Sequence, residues 1–243
     1  MSDSHWTAAP AEPRLADDDI HVWRAFLDNE GANAGRLATT LAADELARAS
    51  RFIFDRDRNH FVSARSILRS ILGQYLRRPA ASIAFSYAPE GKPQLRLEDA
   101  DAPIRFNVSH SNGLAVYAVS RNREIGIDVE KIRPDFRGEA IAQRFFSSRE
   151  LAELRSLLPE QRDEGFFLCW TRKEAYVKAR GAGLGIALNS FDVSLIPGMP
   201  ERLVSADSNR WMLRSFRPAD RFVGALVAEG SSLNVRLWSW NDQ

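Results

Sequence analysis

A long apolar stripe at helical spacing, followed by about three strand-like runs, occurs twice along these 243 residues. In the first copy Phe61, Ala64, Leu68, Ile71, Leu72 and Tyr75 recur at the steps that put side chains on one helical face, which predicts a helix over 57–76. Arg65 and Arg69 lie four apart and off that stripe. Strands are expected at 82–87, 104–109 and 114–120. The second copy has a helix over 163–180, stopped by Gly181, and strands at 191–196, 211–216 and 221–228. This order predicts two α+β halves, 20–122 and 123–243, packed together with a ligand site at their junction.

The remaining segments fill in around that repeat. A strand is expected at 20–27, a short helix at 40–50, a turn over 89–93, a strand at 125–130 and a last strand at 234–240. Ser147 with Glu150 three residues on is a capping box, and Leu151, Leu154, Leu157 and Leu158 give the helix that follows an apolar face until Pro159 ends it. Residues 1–19 are small, acidic and Pro-containing without an apolar core, and are expected to be a disordered tail rather than a signal peptide.

Composition excludes several classes. Lys plus Arg is 33 against 32 for Asp plus Glu, so no strongly basic field marks a nucleic-acid binder, and any anion site must be local. The one cysteine, Cys169, rules out an internal disulfide and fits a reducing compartment; it reads as a small buried hydrophobe. None of the four histidines stands at zinc-ligand spacing with another ligand. No stretch is long enough to span a membrane, so a cytoplasmic protein is expected.

Two patches carry chemistry. In Gly126-Ile127-Asp128-Val129-Glu130 two carboxylates share one face of an otherwise apolar strand. In Trp170-Thr171-Arg172-Lys173-Glu174-Ala175-Tyr176-Val177-Lys178, Trp170, Glu174 and Lys178 share a helical face with Lys173 beside them. The plain readings are a solvated strand face and ordinary surface lysines. The functional reading is a hard divalent cation on Asp128, Glu130 and Glu174, with Lys173 and Lys178 on phosphate oxygens and Trp170 seating an apolar group. A Glu174–Lys178 pair alone adds only about 0.2–0.5 kcal/mol to a helix and does not account for the set.

A second group is cationic or polar. Ser109, His110 and Ser111 end a strand run, where they either cap turns or clasp a phosphate. Arg48, Arg51, Arg65, Arg69 and Lys92 are candidate anion ligands, each singly as well explained as a surface residue. Gly181-Ala182-Gly183-Leu184-Gly185 follows a helix instead of opening one, so it reads as a turn and not as a nucleotide-binding loop.

Three ordered blocks resemble the signature of the 4′-phosphopantetheinyl transferases: Phe106-Asn107-Val108-Ser109-His110-Ser111, Ile125 to Glu130, and Trp170-x-x-Lys173-Glu174-Ala175-x-x-Lys178-x-x-Gly181-x-Gly183-Leu184. Gly91-Lys92-Pro93, the chain length and Phe145-Phe146-x-x-x-Glu150 are similar to the surfactin-synthetase-activating subgroup. The resemblance spans about residues 40 to 195.

It implies an α+β pseudo-dimer within one chain and a monomer. It implies transfer of the 4′-phosphopantetheine arm of coenzyme A to a serine of an apo acyl or peptidyl carrier protein, releasing adenosine 3′,5′-bisphosphate. By the same resemblance Asp128, Glu130 and Glu174 hold Mg²⁺ (or Mn²⁺), Lys178 faces the pyrophosphate, and Ser109, His110, Lys92 and Arg48 hold the 3′-phosphate end. Positions where relatives place lysines read Glu45 and Arg48 here. Glu174 is the expected proton acceptor, with Lys178 as the alternative. The carrier is expected to dock near Phe145, Phe146 and the helix from Ser147, beside Lys131, Arg133, Arg137, Arg144 and Arg149. Two other readings stand beside this one: a different Mg²⁺-dependent enzyme cleaving a phosphoanhydride, and a non-catalytic module that binds coenzyme A or a carrier.

Overall fold

The computed structural model describes residues 5–28, 34–87, 93–96, 104–134, 136–181 and 185–241. After the short strand β1 (Thr7–Ala8) come β2 (Asp19–Phe26), helices α1 (Ala34–Ala38), α2 (Ala43–Ala49) and α3 (Asp55–Leu76), and the small ribbon β3 (Phe85–Tyr87) with β4 (Pro93–Leu95). The hairpin β5 (Ile104–Ser111) and β6 (Leu114–Arg121) closes this series. The same order then recurs: strand β7 (Ile125–Lys131), helices α4 (Glu139–Phe145), α5 (Ser148–Ser156) and α6 (Pro159–Arg180), the ribbon β8 (Asp192–Val193) with β9 (Leu203–Val204), and the hairpin β10 (Trp211–Phe216) with β11 (Phe222–Glu229). Strand β12 (Asn234–Ser239) ends the series. In both copies the opening strand lies antiparallel to the last strand of the hairpin, β2 on β6 and β7 on β11.

Local chemistry sets the boundaries. Asn112 (φ 47°) and Gly113 (φ 80°) form the two-residue turn of the β5–β6 hairpin, whose left-handed backbone suits asparagine and glycine. Ser147 caps α5 as expected, its Oγ accepting from Glu150 N and the Glu150 carboxylate accepting from Ser147 N. Pro159 does not merely end α5; it opens α6 at a position where its missing N–H is no loss, so α6 starts four residues before the expected 163. Gly181 (φ 61°) ends α6 in the left-handed conformation. The expected strand at 191–196 is only two residues long, and α4 has no counterpart among the expected elements.

Alternation along the strands builds three buried layers. Trp23, Ala25, Ala115, Tyr117, Val119 and Phe106 pack with Ile67, Leu68, Ile71 and Leu72 of α3. Val223, Ala225 and Val227 pack with Phe167, Leu168, Ala175 and Tyr176 of α6. Between the two sheets, Ile20, Val22, Val116 and Ala118 meet Ile125, Ile127, Val129, Leu226 and Ala228. The result is an α+β sandwich, helix on sheet on sheet on helix.

Two expectations change. The C-terminal strand does not belong with the second half: β12 lies parallel to β2 in the five-stranded sheet β1-β12-β2-β6-β5, so a division at 122/123 cuts that sheet. The expected disordered tail is structured from residue 5 onward. Thr7 and Ala8 pair with Trp238 and Ser239, and the Trp6 indole donates to the Arg217 carbonyl while its ring packs edge-on against Phe216. An apolar ring and a free sheet edge give that segment something to bind. Among the described residues no helix is long and apolar enough to cross a membrane.

Candidate active site

Strands β5 and β7 are the facing edges of the two sheets, and their side chains stitch them together. Asn107 Oδ1 accepts from Ile127 N at 2.8 Å, Ser109 Oγ donates to Asp128 Oδ1 at 2.7 Å, and Ser111 Oγ donates to Glu130 Oε2 at 2.7 Å. Because strand side chains alternate, Ile125, Ile127 and Val129 go into the inter-sheet core while Gly126, Asp128 and Glu130 take the opposite face, toward α6. There α6 comes very close: a Cβ on Gly126 would stand 2.1 Å from the Ala175 carbonyl oxygen and 2.3 Å from Ala179 N. This contact brings Lys178 onto the strand. Its Nζ donates to Asp128 Oδ1 at 2.7 Å, Ser109 Oγ at 3.2 Å and the Ile127 carbonyl at 3.2 Å.

Asp128 is buried, and its other oxygen, Oδ2, has no hydrogen-bond partner. An unpartnered buried carboxylate oxygen is costly unless something positive meets it. Glu174 and Glu130 share the strain. Burial pushes the Glu174 carboxyl above its ordinary pKa, Asp128 and Glu130 push the same way, and Lys178 opposes them. Burial likewise raises Glu130, with Asp128 adding to it and Ser111, Arg133 and Lys178 opposing. Three acids crowd one lysine. Among the described residues no three His, Cys, Asp or Glu side chains are grouped closely enough to hold a metal ion as they stand. An open carboxylate set with room for waters and phosphate oxygens suits Mg²⁺, which is usually held by one or two carboxylates plus substrate. Asp128 Oδ2, buried and without a partner, is the oxygen that such an ion would meet.

A cluster of basic side chains adjoins the acids. His110 is exposed at its strand surface; crowding by neighbouring atoms lowers its pKa, the charges of Lys178, His60 and Arg48 lower it further, and Asp128 opposes them. Arg48 ends α2 with its guanidinium 5.3 Å from the Phe61 ring centre. His60, which sequence reasoning passed over, lies 2.7 Å from Asp28 Oδ1, and Arg56 lies 3.5 Å from the same oxygen. A lone histidine in a helix carries no signal in the sequence; the packing of Asp28 against the Asn112–Gly113 turn is what brings it here.

Other expected site residues stand elsewhere. Lys173 is fully buried, and its ammonium binds Glu150 and two carbonyls instead of facing the acids. Arg69 is 1% exposed and used up by Glu45 and by the Ala80 and Ile83 carbonyls. Arg65 is bound to Glu45 Oε1 at 3.1 Å and to the Tyr87 hydroxyl. Glu45 is thus the buried partner of two arginines that the sequence places off the apolar stripe. Trp170 packs on Phe145 and Phe166. Phe146 is 4% exposed, in the core, and offers no surface to a partner. The Ser109 hydroxyl hydrogen is directed to Asp128. Lys92 lies outside the described residues.

Known proteins match along nearly the whole chain. The model of the 4′-phosphopantetheinyl transferase superfamily matches residues 124–227, and that of the 4′-phosphopantetheinyl transferase N-terminal region matches 31–122. The 4′-phosphopantetheinyl transferase HetI of Nostoc sp. is 41% identical, over 97% of this chain and 98% of its own. The 4′-phosphopantetheinyl transferase Sfp of Bacillus subtilis is 30% identical over 66% of this chain and 69% of its own. A holo-(acyl-carrier-protein) synthase from Bacillus anthracis, solved in complex with CoA (3′,5′-ADP), is 21% identical over 44% of this chain and 96% of its own, with a TM-score of 0.37. The chain belongs to the 4′-phosphopantetheinyl transferase superfamily and is an enzyme of that class.

Proposed function

We propose that this enzyme transfers the 4′-phosphopantetheine arm of coenzyme A to the serine hydroxyl of an apo acyl or peptidyl carrier protein, with Mg²⁺, releasing adenosine 3′,5′-bisphosphate. The observation that carries the reading is the buried, unpartnered Oδ2 of Asp128 beside Lys178, where the two sheets and α6 meet.

Asp128, Glu130 and Glu174 are the residues that would hold the cation. When bound, it would draw negative charge from the pyrophosphate oxygens, and such charge stabilisation is what chiefly speeds phosphoryl transfer. Lys178 adds a fixed positive charge. Its Nζ is already engaged with Asp128, Ser109 and the Ile127 carbonyl. That favours Glu174 as the acceptor of the carrier serine's proton, on a carboxylate oxygen. The serine oxygen bonds to the pantetheine-side phosphorus as the bridging P–O bond breaks, and the nucleotide leaves with the bridging oxygen. Arg48, with the His60 and His110 rings near it, would offer positive charge to its 3′-phosphate.

Carrier-dependent nucleotide release tests this reading against simple hydrolysis. With coenzyme A and Mg²⁺, adenosine 3′,5′-bisphosphate should accumulate by chromatography only when an apo carrier is present, in step with its amount. Equal release without a carrier, or with one whose serine is changed to alanine, would establish a phosphoanhydride hydrolase instead.

A further inference from the structure

Outside the acid cluster, the Glu150–Lys173 pair is almost fully buried, with side-chain exposures of 1% and 0%. Lys173 Nζ lies 2.8 Å from Glu150 Oε2 and donates to the Leu188 carbonyl at 2.7 Å and the Phe191 carbonyl at 2.6 Å. An ammonium has three hydrogens, and three oxygens take them. The Glu150 carboxylate is equally occupied: Oε1 accepts from Val193 N at 2.7 Å, and Oε2 also accepts from Ser147 N at 2.8 Å. One lysine of α6 is thereby tied to the start of α5, to the segment 188–191 and, through Glu150, to β8.

Stability alone does not call for these charges. A buried ion pair is often matched or exceeded by apolar side chains of the same volume. What an apolar pair lacks is direction. Three acceptors around one ammonium fix the rotation of α6 about its axis and its position along that axis. Glu174 is the next residue, and Lys178 follows about one turn later. On another side of the helix, Ala175 and Ala179 rest on Gly126. That contact lets β7 and α6 touch, but its small atoms offer little resistance to rotation.

We infer that the Glu150–Lys173 pair is a positioning device for the reaction: it aims Glu174 and Lys178 at Asp128 while touching no substrate itself. The inference rests on the transfer activity proposed above. It also makes a structural claim that can be read without that activity.

The test uses Glu150→Asp, which keeps the charge but shortens its reach, and the apolar double variant Glu150→Leu/Lys173→Met, which leaves no buried charge unpaired. For each variant that melts cooperatively, kcat should fall tenfold or more, with KM for coenzyme A within twofold of the parent. Hydrogen exchange should show lost protection in α6 around 174–178 while α3 keeps its own. Parental kcat in either folded variant overturns the inference, as does loss of protection spread equally over α3 and α6. If the parent itself transfers nothing, the proposed function fails, and the exchange pattern alone still decides whether the pair holds α6.

Discussion

Tyr75 bridges two buried rings, Trp23 and His21. The Trp23 indole can only donate, and it donates to the Tyr75 hydroxyl at 3.1 Å. The same hydroxyl lies 2.8 Å from His21 Nδ1, and His21 Nε2 lies 3.9 Å from Asp19 Oδ2. Burial lowers the His21 pKa to about 4, Asp19 opposing and Arg236 adding to the shift. A histidine depressed when folded binds its proton more readily unfolded, so its contribution to stability is present above pH 6.5 and lost as pH falls toward 4. At 1.36 kcal/mol per unit that is about 3 kcal/mol. Melting curves of the parent and of His21→Gln should therefore converge as pH drops through this window. Parallel curves would show that His21 does not titrate on unfolding. At this scale the sequence was partly legible. Asp128, Glu130, Glu174 and Lys178 were readable because their spacing puts them on shared faces. Lys173, Arg65 and Arg69 misled because a charged side chain reads as surface, and nothing local announces Glu150 or Glu45 as a buried partner.

Helix α6 depends on a residue with no side chain. The space a Cβ would need at Gly126 is filled by the Ala175 carbonyl oxygen at 2.1 Å and Ala179 N at 2.3 Å, both backbone atoms that cannot swing away. Gly126→Ala must push α6 from β7, at about 3 kcal/mol by analogy with overpacked cores. That corresponds to a fall of roughly 6–12 °C in melting temperature for a chain of this size. It also lifts Lys178 from Asp128, so transfer should fall more than tenfold even at temperatures where the variant is fully folded. A variant with parental melting temperature and rate would show that the helix can shift without consequence. The elements themselves were legible where periodicity is long: α3 and α6 were found to within a few residues. Short pieces were legible in part: β8 falls inside the expected strand at 191–196, while α4 and β9 are held by packing rather than by their own pattern.

The whole molecule reads as one strand–helix–ribbon–hairpin unit built twice and joined sheet to sheet. The order of elements made the duplication visible in the sequence. The return of β12 to lie beside β2 was not visible, because strand pairing across more than two hundred residues leaves no local trace. The candidate site gathers at the joint: serines of one sheet edge face carboxylates of the other, and α6 adds the lysine and the third acid. Intact-mass spectrometry of an apo carrier protein incubated with this enzyme, coenzyme A and Mg²⁺ tests that account most directly. It predicts a gain of one phosphopantetheine arm on the carrier serine, lost with Asp128→Asn although that variant melts close to the parent. A full gain with Asp128→Asn, or no gain on any of several carriers from a parent that binds coenzyme A, would contradict it.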